Sequence, residues 1–97
     1  RVPEELIEQI KQSCIVRNRS VKHIMDLTKR IKSFGYPIDN IVAQIHELVV
    51  ESDILSDTAK AVICIEFGKV ETRLIEGADE YLQLMNILMC ISENNNK

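Results

Sequence analysis

Two histidines and three cysteines are the side chains of this 97-residue chain best suited to bind a metal or attack a substrate. His23 and His46 belong to different segments, whereas a structural zinc site uses ligand pairs two to four residues apart. The three cysteines are Cys14, Cys64 and Cys90. Their odd number, wide spacing and apolar neighbours are typical of small buried side chains in a reducing compartment. We therefore expect no metal, no cofactor and no catalytic residue in this chain.

Phosphate-binding loops need clustered glycines. The chain has three glycines, Gly35, Gly68 and Gly77, in neither a GxxxxGK[ST] nor a GxGxxG arrangement. The carboxylate pairs Glu4–Glu5 and Asp79–Glu80 come at predicted helix starts, where acidic side chains complement the helix dipole. The sequence predicts that this chain is not itself an enzyme.

The composition is that of one globular domain spanning residues 1–97, with 45% hydrophobic residues, 28% charged residues and a formal net charge of −3. No apolar run approaches the roughly 20 residues that a membrane span needs, so we expect no membrane association. Since the first residue is arginine and not methionine, we expect the chain to be a fragment of a longer protein.

Charge is distributed unevenly along the chain. Residues 1–36 carry eight basic and four acidic side chains, whereas residues 37–97 carry four and eleven. Part of the positive charge forms a basic strip, comprising Arg17, Arg19, Lys22, Lys29 and Arg30. Asp26 interrupts the strip and no aromatic residue interleaves for base stacking, so a solvated face is favoured over a nucleic-acid groove. Opposite-signed halves favour packing against a neighbouring protein.

Helical periodicity runs through the whole chain and predicts an all-α, compact bundle of five helices with short connections. In order, the predicted helices run from Pro3 to about Arg17, from Ser20 to Gly35, from Pro37 to the connection at Ser52–Leu55, from Ser56 to Gly77, and from Asp79 to about Asn94. Their ends are marked by capping side chains, prolines and glycines.

The last two predicted helices carry more apolar surface than their own bundle needs. The fourth has one stripe at Ala59, Val62, Ile63, Phe67, Val70 and Leu74, and a second at Ala61, Ile65, Gly68, Thr72 and Ile75. A helix apolar on two sides must be covered on two sides, so we expect the fourth helix to be central. Gly68 forfeits about 1 kcal/mol of helix propensity, which suggests close approach by another helix.

The fifth predicted helix combines a core face with a polar stripe and further apolar residues. The core face comprises Tyr81, Leu84, Met85, Leu88 and Ile91, and the polar stripe comprises Gln83, Asn86 and Cys90. The polar stripe fits either exposure to solvent or amides that hydrogen-bond to a neighbour and fix its register. Leu82, Ile87 and Met89 lie beyond the core face, and this apolar surplus favours the interface.

Two segments resemble the C-terminal domain of the small subunits of replication factor C, the eukaryotic clamp loader of the AAA+ family. The first runs from Gly35-Tyr36-Pro37 through Gln44-Ile45-His46 to Val49-Val50, and the second comprises Arg73-Leu74, Gly77-Ala78-Asp79-Glu80 and Leu82-Gln83-Leu84. The resemblance covers nearly all of the chain, although residues 1–34 match in pattern only.

The resemblance implies a collar, or oligomerisation, domain that holds together a pentameric ATP-dependent clamp loader, which places the sliding clamp on primed DNA in replication and repair. It implies the other replication factor C subunits as partners and a nuclear location. ATP with Mg, the sliding clamp and primer-template DNA would bind to AAA+ domains outside this chain. The isolated domain could self-associate through its exposed interface.

We predict that the subunit interface includes a set of five residues, Arg73, Tyr81, Gln83, Asn86 and Ile87. The basic end of the second helix would meet an acidic patch on the neighbour. The alternative is a stand-alone helical adaptor that binds a partner helix in a groove beside the fourth and fifth helices. A P-loop upstream of Arg1 would distinguish the clamp-loader subunit from the adaptor.

Overall fold

The computed structural model describes residues 2–17 and 20–95. It contains α1 (Glu4–Ile10), which continues as a π-helical segment (Lys11–Val16), followed by α2 (Val21–Ser33), α3 (Ile38–Val50), α4 (Asp57–Ile75) and α5 (Glu80–Glu93). The described residues form helices and turns without a strand. The predicted all-α bundle of five helices is therefore confirmed.

Local capping groups set most of the helix ends. The side chains of Ser20, Ser56 and Asp79 each accept a hydrogen bond from a backbone N–H two or three residues further on, at 2.9–3.3 Å. Gly35 and Gly77 follow α2 and α4 with φ of +73° and +92°, a left-handed conformation that glycine adopts at little cost. These starts and stops agree with those expected from the sequence.

The central helix of the bundle is α5. It packs against α2, α3, α4 and the π-helical segment, and it contributes four side chains of zero exposure, Leu84, Ile87, Leu88 and Ile91. In contrast, α4 packs on α5 and α3 through one apolar stripe, where Ile63, Phe67 and Val70 are buried. The expectation that α4 is central is wrong, because α4 runs along the outside of the bundle.

Two buried amide side chains tie distant parts of the chain together. Gln44 of α3 accepts a hydrogen bond from Val2 N–H at 2.7 Å and donates one to the Val2 carbonyl at 3.3 Å. Asn95 donates through Nδ2 to the carbonyls of Cys14, at 3.4 Å, and Ile15. Carbonyls at a helix C-terminus have no partner within the helix, so Asn95 caps the π-helical segment.

The basic strip predicted from the sequence is exposed where the structure describes it. Lys22, Lys29 and Arg30 lie on the outside of α2, and Arg17 follows the π-helical segment. Lys22 pairs with Asp26 at 3.3 Å, with both side chains in solvent. Arg19 lies outside the described residues. The described part of the strip is thus a solvated surface of mixed charge.

Candidate subunit interface

The outward side of α4 is formed by Ala61, Ile65, Gly68, Thr72 and Ile75, which we call the α4 face. All five residues are exposed, and the two isoleucines keep 63% and 87% of their surface in solvent. Burying an isoleucine side chain fully contributes about 1.5–3 kcal/mol. The second apolar stripe of the fourth helix is thus left uncovered by the described chain.

Gly68 lies at the middle of the α4 face. A Cβ atom built there would meet no heavy atom within 4 Å, so the close approach expected at this glycine is not made within the described chain. Thr72 donates through its hydroxyl to the Gly68 carbonyl one turn earlier in α4, at 3.1 Å. The result is a shallow depression lined by Ile65, Gly68, Lys69, Thr72, Arg73 and Glu76. Such a surface, low in its middle, suits a side-chain ridge of another helix.

A polar cluster formed by Glu66, Arg73, Gln83 and Asn86 joins α4 to α5. Arg73 donates through Nη1 to Glu66 Oε2 at 3.1 Å and to Gln83 Oε1 at 3.4 Å. Asn86 donates through Nδ2 to the same Gln83 oxygen at 3.5 Å. Three of the five predicted interface residues therefore meet, and Arg73 also lines the depression on α4.

The energy of this polar cluster is modest because water reaches it. The side chains of Arg73 and Glu66 are 41% and 23% exposed, and ion pairs open to solvent contribute about 0–1 kcal/mol. Gln83, at 5% exposure, is the buried member and accepts from both neighbours. The cluster is thus better suited to fixing the register of α5 on α4 than to stabilising the bundle.

Tyr81 is not part of the polar cluster. It lies two residues before Gln83 on α5, which separates the two side chains by about 200° around the helix axis. Its half-buried ring packs against the core, and Lys32 Nζ of α2 lies 4.6 Å from the ring centroid. One of the basic residues at the end of α2 is therefore engaged within the chain through a cation–π contact.

The expectation that Ile87 belongs to an apolar surplus on α5 is wrong. Ile87 has zero exposure because α5 is surrounded by other helices, and Met89 is half-buried against the core. Leu82, 50% exposed, is the member of that surplus which stays open. The five predicted interface residues do not include Ile65 and Ile75, which are the exposed isoleucines of the second stripe of the fourth helix.

The thiols occupy three different environments. Burial raises the pKa of the Cys14 thiol to about 12. Burial, together with the nearby negative charges of Glu66 and Glu93, also raises the pKa of Cys90. Cys64 is half-buried, and its Sγ lies 3.7 Å from His46 Nε2 on α3. No sequence pattern indicated this pair, because the two residues are 18 positions apart.

The described residues meet neither the requirements of a metal site nor those of a membrane-spanning helix. In residues 2–17 and 20–95, no three His, Cys, Asp or Glu side chains are grouped so that they could hold a metal ion. Within the same residues no helix combines the length and the hydrophobicity to cross a membrane.

A cleft of about 580 Å³ lies between α1 and α2, and in it Ser13 Oγ and His23 Nε2 are 3.0 Å apart. None of the predicted interface residues lines this cleft.

Comparison with known proteins gives a consistent match. Residues 2–90 match the family described as "Replication factor C C-terminal domain". Replication factor C subunit 2 of Oryza sativa subsp. japonica is 32% identical over 91 residues, covering 89% of this chain and 25% of the relative. Replication factor C subunit 2 of Schizosaccharomyces pombe is 32% identical over 91 residues, covering 94% and 26%. Human replication factor C subunit 4 is 29% identical over 92 residues, covering 95% and 24%. The chain thus spans about a quarter of the length of these relatives.

Proposed function

The chain belongs to the replication factor C C-terminal domain family, and from that premise we propose that it is the collar domain of a clamp-loader small subunit. Its task is to hold that subunit in a pentamer with four other replication factor C subunits. The work is mechanical, because collar contacts must persist while the ATP-binding domains move. ATP with Mg, the sliding clamp and primer-template DNA are bound by parts of the protein outside this chain, in the nucleus.

The observation that carries this proposal is the open α4 face. Long-lived interfaces are larger and more apolar than transient ones, and most charged residue types are depleted at their centres. The α4 face fits such a centre, because its residues are exposed, uncharged and mostly apolar: Ala61, Ile65, Gly68, Thr72 and Ile75. Leu82 at the start of α5 adds exposed apolar surface.

The polar cluster gives this surface a defined shape. Arg73 is held by Glu66 and Gln83, and it lines the depression beside Gly68. A neighbouring helix that fills the depression would therefore meet a positioned guanidinium at its edge. Arginine is enriched at such interfaces because its fork of donors binds carboxylates and carbonyls in fixed geometry.

The test is assembly of the full-length protein with its four companion subunits. In the variant carrying Ile65→Asp and Ile75→Asp, two charges enter the α4 face, and we expect the five subunits no longer to elute together in size-exclusion chromatography. Both positions are exposed, so the charges leave the fold of the chain itself intact. Circular dichroism of the variant checks this.

The control is Val21→Asp, which places one such charge on an exposed apolar residue at the start of α2. We expect this variant to assemble normally, because α2 packs against α5 and the π-helical segment and contributes no residue to the α4 face. A pentamer that survives both substitutions on the α4 face would contradict the proposed site. Full-length protein that purifies without any companion subunit would contradict the proposed function itself.

A further inference from the structure

The closest approach of a thiol to a base in the described chain is made by Cys64 of α4 and His46 of α3, which we call the Cys64–His46 pair. Cys64 Sγ and His46 Nε2 are 3.7 Å apart, within hydrogen-bonding range for sulfur. The His46 ring also packs on Phe67, with 4.7 Å between ring centroids and 32° between planes. Since Phe67 is 2% exposed and fixed in the core, it holds the imidazole in place beside the thiol.

Access separates Cys14, which is buried, from Cys64 and Cys90, which are both half-buried, and the neighbouring groups then separate Cys64 from Cys90. Cys14 has zero exposure and a pKa of about 12, so it stays a thiol under ordinary conditions. The pKa of Cys90 is raised by burial and by the carboxylates of Glu66 and Glu93, which disfavour its thiolate. Cys64 is half-buried and reachable from solvent, with a nitrogen base at its sulfur. The thiolate is the form that reacts.

We propose that the Cys64–His46 pair is a site of covalent modification by small electrophiles, hydrogen peroxide among them, and that Cys64 reacts ahead of Cys14 and Cys90. With the ring proton on Nδ1, Nε2 accepts the proton of the thiol. The sulfur then attacks one peroxide oxygen, so that an S–O bond forms and the O–O bond breaks. The departing hydroxide takes the proton from the imidazolium and leaves as water. Sulfur is oxidised by two electrons to a sulfenic acid, and the peroxide is reduced.

This site is independent of the proposed assembly, but it lies next to the surface that assembly would use. Cys64 comes three residues after Ala61 and four before Gly68, so it shares a side of α4 with the edge of the α4 face. A group added to its sulfur would therefore extend from the boundary between α3 and the α4 face.

The experiment is competitive labelling of the full-length protein with iodoacetamide at neutral pH. In this reaction an S–C bond forms, the C–I bond breaks and iodide leaves. Trypsin cleaves after Lys11, Arg17, Lys60, Lys69 and Arg73, which places the three cysteines on separate peptides. Mass spectrometry then gives a rate for each thiol. We expect Cys64 to react at least tenfold faster than Cys90, and Cys14 to react only after unfolding.

Variants of His46 show whether the labelling rate of Cys64 depends on the imidazole nitrogen or only on the exposure of the thiol to solvent. His46→Phe keeps a ring against Phe67 and removes the nitrogen, and we expect it to slow labelling of Cys64 at least threefold while the Cys90 rate stays unchanged. His46→Gln serves if the first variant does not fold. The control His23→Phe removes the other histidine, which lies beside Ser13, and leaves the Cys64 rate as it was. The proposal would be overturned if Cys90 were labelled faster than Cys64, or if the labelling rate of Cys64 were the same in both His46 variants as in the unmodified protein.

Discussion

Leu82 and Ile87 are side chains of equal carbon number on the same helix, yet their surroundings differ completely. Ile87 is enclosed, whereas Leu82 keeps half of its surface in water. The difference arises because the two residues are five positions, or about 140°, apart around the helix axis, and Leu82 lies on the side of α5 that also carries the partly exposed Asn86 and Met89. Composition alone cannot separate the two, since both count equally as apolar in any pattern.

The first prediction compares these two residues. Ile87→Ala leaves a cavity among packed helices, so we expect it to lower the free energy of unfolding of the 97-residue chain by about 2–5 kcal/mol. Leu82→Ala removes mostly solvated surface, and we expect a loss of less than about 1 kcal/mol. Urea denaturation followed by circular dichroism measures both. Equal losses would mean that α5 is not enclosed as described.

The sequence located the polar cluster only in part. Arg73, Gln83 and Asn86 were all expected at an interface, and they do meet. Glu66 was not expected, because it lies two turns before Arg73 and reaches it only through the length of the two side chains. Contacts of this kind depend on rotamers, which a sequence pattern does not specify.

At the level of the elements, the helix ends were predictable and the packing order was not. Capping by Ser20, Ser56 and Asp79 is local, so the residues beside each end are sufficient to place it. Which of two apolar helices lies at the centre depends on contacts between residues far apart in the chain. Both α4 and α5 have apolar residues on more than one side, and the structure encloses α5.

The second prediction concerns Gly68 in α4. A methyl group there meets nothing within the chain, so Gly68→Ala should raise the free energy of unfolding of the isolated chain by about 0.5–1 kcal/mol. Ala43→Gly at an exposed position of α3 is the matched control and should lower it by a similar amount. Thermal and urea denaturation give both values.

The same substitution has the opposite consequence if another helix packs on Gly68. The added methyl group would then hold the two helices apart, and the full-length Gly68→Ala protein would assemble more weakly with its companion subunits. A variant that is more stable and assembles unchanged would show that the depression on α4 is not a point of close approach.

For the molecule as a whole, the hydrogen bonds of Asn95 connect the two ends of the described chain, since they reach Cys14 and Ile15, 81 and 80 residues away. It connects the end of the central helix to the end of the first one. Asn95 is 3% exposed, so its hydrogen bonds are shielded from water. Removing a buried donor leaves its acceptors without a partner, at a cost of about 1–3 kcal/mol.

The third prediction follows from this contact. Asn95→Ala should lower the free energy of unfolding by about 1–3 kcal/mol, whereas Asn40→Ala on the exposed side of α3 should change it by less than about 0.5 kcal/mol. Hydrogen exchange adds a local measure, since the amides of the π-helical segment should lose protection in the Asn95 variant. Unchanged exchange in that segment would show that Asn95 is dispensable for joining the two helices.

The placing of α5 inside and α4 outside divides the chain into two kinds of position. A substitution on α5 must satisfy several helices at once, so it is constrained by folding. A substitution on the α4 face is not constrained by packing against any other part of the described chain. If the α4 face is the proposed interface, related subunits can diverge there and bind different neighbours while keeping the same bundle, so that a fixed order of subunits arises from copies of a single architecture.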